Sequence, residues 1–317
     1  MVTSGRKSSE MIRLAPAPDG AGIHVISPAS FANAKRFDDG LAHLRALGFA
    51  PHIGTSTQHR GPLFFAGTLE QRLADLHEAF TDSASSIVAC VRGGYGSNYL
   101  LEGLDLALIK KHPKPFFAYS DLTGIQLHLL DRIGLPVFHG PMVAADFAHE
   151  DGVHFASFRA ALAGQPYSVG PDEGLRTLKA GSACGMLYGG CLSILVALLG
   201  TPWEPDTAGK LLFLEDTGAK PYQIDRMLWQ LRQAGKLEGA VGIVFGEMLH
   251  CASPGAPANL LDEVILRAFA DINIPIAIGL RSGHVSHQNV TLLFGAAAEL
   301  HATPQPRLDL VEPVTTP

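Results

Sequence analysis

Short apolar runs that stop at small or polar residues alternate, in the first half of the chain, with stretches whose apolar residues recur at helical spacing. That alternation restricts the fold more than any other feature. Ile23–Ser27, Phe49–Ile53, Ser86–Val91 and Pro115–Tyr119 read as strands. Between them, Phe31–Leu47 sets Leu41, Leu44 and Leu47 at helical intervals. Thr68–Asp82 does the same with Leu69, Leu73, Leu76 and Phe80, behind Thr68 as a cap. Leu104–Lys111 and Asp121–Ile133 continue the series, the latter through Leu122, Ile125 and Leu129. Strands separated by whole helices cannot pair as hairpins. They form a parallel sheet with helices on both faces, so the fold class is α/β.

The pattern weakens between Ala148 and Ser182, where Gly, Pro and acidic residues rise. This divides the chain into a lead-in (1–21), a first α/β domain (22–150), a linker (151–181), a smaller mixed α/β domain (182–303) and a loose tail (304–317). In the second domain Gly189–Leu199 reads as a buried helix. Leu211–Glu215, Val241–Phe245 and Val290–Phe294 read as strands, and helices surround Ile224–Leu231 and Leu260–Asp271.

Composition removes several classes of function. The balance of 24 Lys+Arg against 30 Asp+Glu, net −6, offers no basic stripe for nucleic acid and no attraction to an anionic bilayer. With 47% apolar and 17% charged residues the chain has enough to bury and is not disordered. No run reaches 18 apolar residues, and the polar first 20 residues lack a secretory apolar core. Cys90, Cys184, Cys191 and Cys251 form no C-x-x-C pair, which suits free thiols in a reducing compartment. A cytoplasmic protein is expected.

Four segments could carry chemistry. In Phe116–Thr123 an apolar strand runs directly into a helix with Ser120 at the junction. There a hydroxyl can stand beside free amide groups, although a simple helix cap is the commoner role. Arg92-Gly93-Gly94-Tyr95-Gly96-Ser97 follows a strand and could present backbone N–H groups to a ligand. It matches neither dinucleotide nor Walker motifs. Leu211–Asp216 ends an apolar run in two acids, and a carboxylate there could orient a histidine. Gly279–His287 holds His284 and His287 in a Gly/Ser loop, where a general base could sit; with no third ligand nearby, a metal site is not expected.

Together, VRGGYGS, AYSDLTG, FHGPM, YGGCLSILVALLGTPW, LFLEDTG with YQIDRML, and GHVSHQNVTLLFGA resemble the LD-carboxypeptidase family of serine peptidases in identity and order, from about Gly22 to Ala298. The family includes muramoyltetrapeptide carboxypeptidase and the microcin C self-immunity peptidase. The resemblance implies a Rossmann-like N-terminal domain carrying Ser120 as nucleophile. A smaller C-terminal α/β domain would carry Glu215 and His284 as the other triad members. It also implies an oxyanion hole from the Gly94 and Asp121 amides, no cofactor or metal, a murein peptide as substrate, and a cytoplasmic homodimer. Ala118 and Cys191 depart from the family's usual Gly and Asn, away from the triad. Arg92 is expected, from its position beside the glycine loop, to meet a substrate carboxylate. A peptidyl-nucleotide amidase of the microcin-immunity type is the alternative, and a non-catalytic small-anion binder is a third reading.

Overall fold

The computed structural model describes residues 10–18, 20–252 and 255–311. β1 (Gly22–Ile26), α1 (Ala34–Ala46), β2 (Ala50–Ile53), α2 (Leu69–Thr81), β3 (Ile87–Cys90), α3 (Leu106–Lys111), β4 (Phe116–Ala118), α4 (Thr123–Ile133) and β5 (Val137–His139) alternate along the first half. The five strands run parallel in the spatial order β5-β4-β3-β1-β2. Strand order reverses between β1 and β3, the place where such sheets open a crevice at their carboxyl ends. Residues of β3, β4 and β5 are buried throughout, which explains their continuous apolar runs. Thr68 and Gln71 close a capping box on α2, and Asn33 caps α1 through the Arg36 amide.

The second half comprises α5 (Phe155–Ala163), β6 (Tyr167–Val169), β7 (Arg176–Lys179), β8 (Gly181–Cys191), α6 (Leu192–Ala197), β9 (Lys210–Glu215), α7 (Pro221–Gln233), β10 (Gly242–Gly246), α8 (Leu260–Ala268), β11 (Ile276–Leu280), β12 (Leu292–Phe294), β13 (Ala297–Ala302) and β14 (Arg307–Leu310). Its sheet has the order β6-β14-β13-β8-β9-β10-β11-β7, with β8 to β11 parallel and the flanking strands antiparallel. β12 does not join it. It crosses to the first sheet and pairs antiparallel with β5, Leu292 opposite His139.

Several segments differ from their sequence reading. The stretch 151–181, read as a linker, forms α5, β6 and β7, and both strands enter the second sheet. Within the tail, residues 307–310 pair as β14, with Leu308 and Leu310 buried; residues 312–317 lie outside the described residues. In the lead-in, Leu14 is buried and the Ile12 amide donates to the Gly134 carbonyl at 2.8 Å, while residues 1–9 lie outside the described residues. Gly189–Cys191 ends β8 instead of starting a helix. A Cβ at Gly189 would lie 1.9 Å from the Phe213 oxygen, so only glycine lets the strand pass so close to β9.

Arg72 of α2, 1% exposed, braces the carboxyl end of the first sheet. Its Nη1 donates to the carbonyls of Pro28 and Gly96, each at 2.8 Å, and its guanidinium lies 4.7 Å from the Phe65 ring centre. Arg72→Met keeps the volume but strands two carbonyls. A loss of about 3 kcal/mol is expected, readable as a lower urea midpoint at unchanged slope.

Candidate active site

Segments that follow β1, β3, β4, β5 and β11 converge on one cavity of about 430 Å3. Its lining includes Arg36, Arg92, Gly94, Tyr119, Ser120 and His284.

Ser120 sits where β4 turns into a short 3-10 turn ahead of α4. Its φ is +65°, in the left-handed region that a β-carbon makes costly. A capping serine takes extended dihedrals and accepts from an amide of the first helical turn. Ser120 does neither, so the cap reading does not describe it. The sharp turn instead directs its side chain to the cavity. Gly93 lies directly against it, since a Cβ there would stand 2.7 Å from the serine Cβ and 2.9 Å from Oγ.

The glycine loop is pinned from three sides. Ser30 Oγ accepts from the Tyr95 amide at 3.0 Å, Arg72 holds the Gly96 carbonyl, and Asp121 Oδ2 accepts from the Ser97 amide at 2.8 Å. The Asp121 side chain thus faces the loop while its backbone N–H stays free. Among the described residues neither that N–H nor the N–H of Gly94 has a hydrogen-bond partner. Two unpaired donors near a hydroxyl suit a developing oxyanion.

Glu215 closes β9 and is fully buried. Its Oε2 accepts from His284 Nδ1 at 2.8 Å and from the His284 amide at 3.1 Å. Two glycines make room for it: a Cβ at Gly246 would stand 2.6 Å from the Glu215 Cβ, and one at Gly283 would stand 2.7 Å from its Cδ. Burial works against the Glu215 charge, but His284's charge and hydrogen bond outweigh it and hold the carboxyl below its ordinary pKa. Burial likewise opposes a charged His284, and Glu215 outweighs that too, so its pKa rises. With Glu215 ionised, Nδ1 carries the proton and Nε2 keeps its lone pair. Tyr119 meets the imidazole edge-on at 5.2 Å between ring centres. Ser120 and His284 line the same cavity without a direct hydrogen bond.

Arg92 is exposed on the rim, as is Arg36, which the motif reading missed. His139, from the FHGPM segment, is fully buried between Phe213 and Phe294. Burial drives its pKa down to about 4, against the pull of Glu215, so the ring is neutral. His287 lies on an adjoining cavity of about 270 Å3 that also reaches His284. Among the described residues, Glu299, His301 and Asp309 could converge on a cation. They belong to β13 and β14, and Arg307 already engages Asp309 at 2.7 Å.

Residues 23–140 match the LD-carboxypeptidase N-terminal domain and residues 184–300 the LD-carboxypeptidase C-terminal domain. A probable murein peptide carboxypeptidase of Bacillus subtilis is 38% identical over 287 residues, covering 89% of each chain. The crystal structure of muramoyltetrapeptide carboxypeptidase from Oxalobacter formigenes superposes with a TM-score of 0.80 at 29% identity, covering 93% of this chain and all of that one. An MccF-like protein from Bacillus anthracis superposes at 0.86 with 26% identity, covering 94% and 99%.

Proposed function

Because this chain belongs to the LD-carboxypeptidase family, we propose that it is a serine L,D-carboxypeptidase that releases the terminal D-alanine of murein tetrapeptides in peptidoglycan recycling. The observation that carries this reading is the Glu215–His284 pair at 2.8 Å opening on the cavity where Ser120 stands strained.

The neutral Nε2 of His284 takes the Ser120 proton as Oγ attacks the scissile carbonyl. Glu215 fixes the tautomer and supports the imidazolium that forms. The Gly94 and Asp121 amides receive the oxyanion. His284 returns its proton to the leaving D-alanine amine, and the Ser120 ester is then hydrolysed by water activated in the same way. Arg92, with Arg36 beside it, receives the free carboxylate of the substrate. The reading includes a cytoplasmic homodimer and calls for no metal.

Purified protein incubated with L-Ala-γ-D-Glu-meso-diaminopimelate-D-Ala in 18O-water is expected to yield free D-alanine. The product tripeptide should carry one 18O, taken from the hydrolytic water. An intact tetrapeptide by mass spectrometry would reject the assignment.

Cleavage of a peptidyl-nucleotide amide is the second reading. It is supported by the likeness to the MccF-like protein and by exposed Tyr95 and Tyr99, which follow Gly94 and offer a base a stacking face. A faster reaction on such an amide than on the tetrapeptide would favour it.

A further inference from the structure

Asn289 is fully buried although nothing in the proposed mechanism uses it. Its carboxamide grips both sides of one residue. Oδ1 accepts from the Gly283 N–H at 3.0 Å, and Nδ2 donates to the Gly283 carbonyl at 3.1 Å. Nδ2 also donates to Asp146 Oδ1 at 3.0 Å. Asp146, 6% exposed, accepts from the Met142 amide at 2.8 Å and from the Tyr119 hydroxyl at 3.5 Å. A hydrogen-bonded chain therefore runs Tyr119–Asp146–Asn289–Gly283. Its ends are the residue before Ser120 and the residue before His284.

We infer that Asp146 and Asn289 are positioning residues that lock the His284 turn of the second half in register with the Ser120 turn of the first. This rests on the peptidase reading for its catalytic consequence, though not for the lock itself.

Three observations support it. Ser120 and His284 come from different sheets, and no direct hydrogen bond joins them among the described residues. Their relative placement must then be set through neighbours. Gly283 has φ +87° and lies between the Glu215 carboxyl and His139 Nε2, so a small shift of the turn breaks the Glu215–His284 pair. Finally, Asp146 has no Lys or Arg partner among the described residues, and a buried carboxylate held only by neutral donors is costly. Burial raises its pKa to about 6, opposed by the Met142, Asn289 and Tyr119 donors and by the charge of His284. It is ionised at neutral pH and joins Glu215 and Asp216 as a negative charge acting on the imidazolium formed in turnover, beside the neutral His139 ring.

The test compares the parent chain with Asp146→Asn and Asn289→Ala. On the tetrapeptide, kcat should fall about 100-fold in each while KM stays within about threefold, the effect of misplacing reacting groups by an ångström. The acid limb of kcat/KM should move to lower pH in Asp146→Asn, because His284 loses a nearby negative charge. It should move the same way but by less in Asn289→Ala, which keeps the carboxylate and removes one of the donors that hold it ionised. Hydrogen–deuterium exchange should quicken across 279–290 in both variants and remain unchanged in β1. Asn289→Ser replaces Asn289→Ala if the latter fails to fold. Unchanged exchange with kcat within threefold of the parent would overturn the inference. A parent that cleaves nothing, with exchange quickened in the variants, would sink the peptidase reading and leave the lock standing.

Discussion

Ser120→Ala is expected to lower kcat on the murein tetrapeptide by about 10⁶, the scale seen when a hydrolytic nucleophile is removed. The change takes away one oxygen and keeps the β-carbon, so the left-handed turn, the Gly93 contact and the Asp121 bond to Ser97 survive. Tetrapeptide affinity should therefore be unchanged. Isothermal titration of the variant, beside a sensitive assay for free D-alanine, separates three outcomes. Equal binding with turnover only in the parent supports a serine nucleophile. Equal binding with turnover in neither is the behaviour of an anion-binding protein. Equal turnover in both identifies another nucleophile.

Glu215→Gln is expected to cost about 10³–10⁴ in kcat, as for other triad carboxylates exchanged for amides. The fold should tolerate it. The glutamine oxygen can take the place of Oε2, accepting from both His284 donors. Its amino group would then occupy the place of Oε1, which has no partner among the described residues. The imidazolium, however, loses its counter-charge. Glu215 raises the His284 pKa against the effect of burial, so removing the charge lowers it. The base works only when neutral, and activity disappears as pH falls through that pKa. The acid limb of the residual kcat/KM profile must then lie at lower pH than in the parent. A limb that stays in place while kcat falls would mean that His284 is not the titrating base.

The parallel core was readable because buried strands and amphipathic helices leave opposite imprints, as Val88–Cys90 and the Leu76–Phe80 stripe illustrate. Tyr167–Val169 and Arg176–Lys179 left no such imprint. They are short strands with few buried residues, whose pairing rests on partners late in the chain. Gly189–Leu199 is helical only over Leu192–Ala197, because the two glycines before it serve clearance for the end of β8. Within the site, Ser120, Glu215 and His284 each end or follow an apolar run, and that made them visible. Arg92 was visible from its glycine neighbours, whereas Arg36 lies on the exposed face of α1 and carries no local signal. Asp146 and Asn289 meet across 143 residues of sequence, and no spacing rule spans that distance.

The return of β12 to the first sheet bears on how such a chain can be rearranged. Residues 23–140 match a family domain, yet the strand that covers the outer edge of β5 lies within the match to the other, at 184–300. A first half cut free at the junction would present the backbone of Val137–His139 to any passing strand. The two halves are thus not interchangeable cassettes. A hybrid spliced near residue 150 brings together a β5 and a β12 with separate histories, and their fit bears directly on where Gly283 and His284 stand.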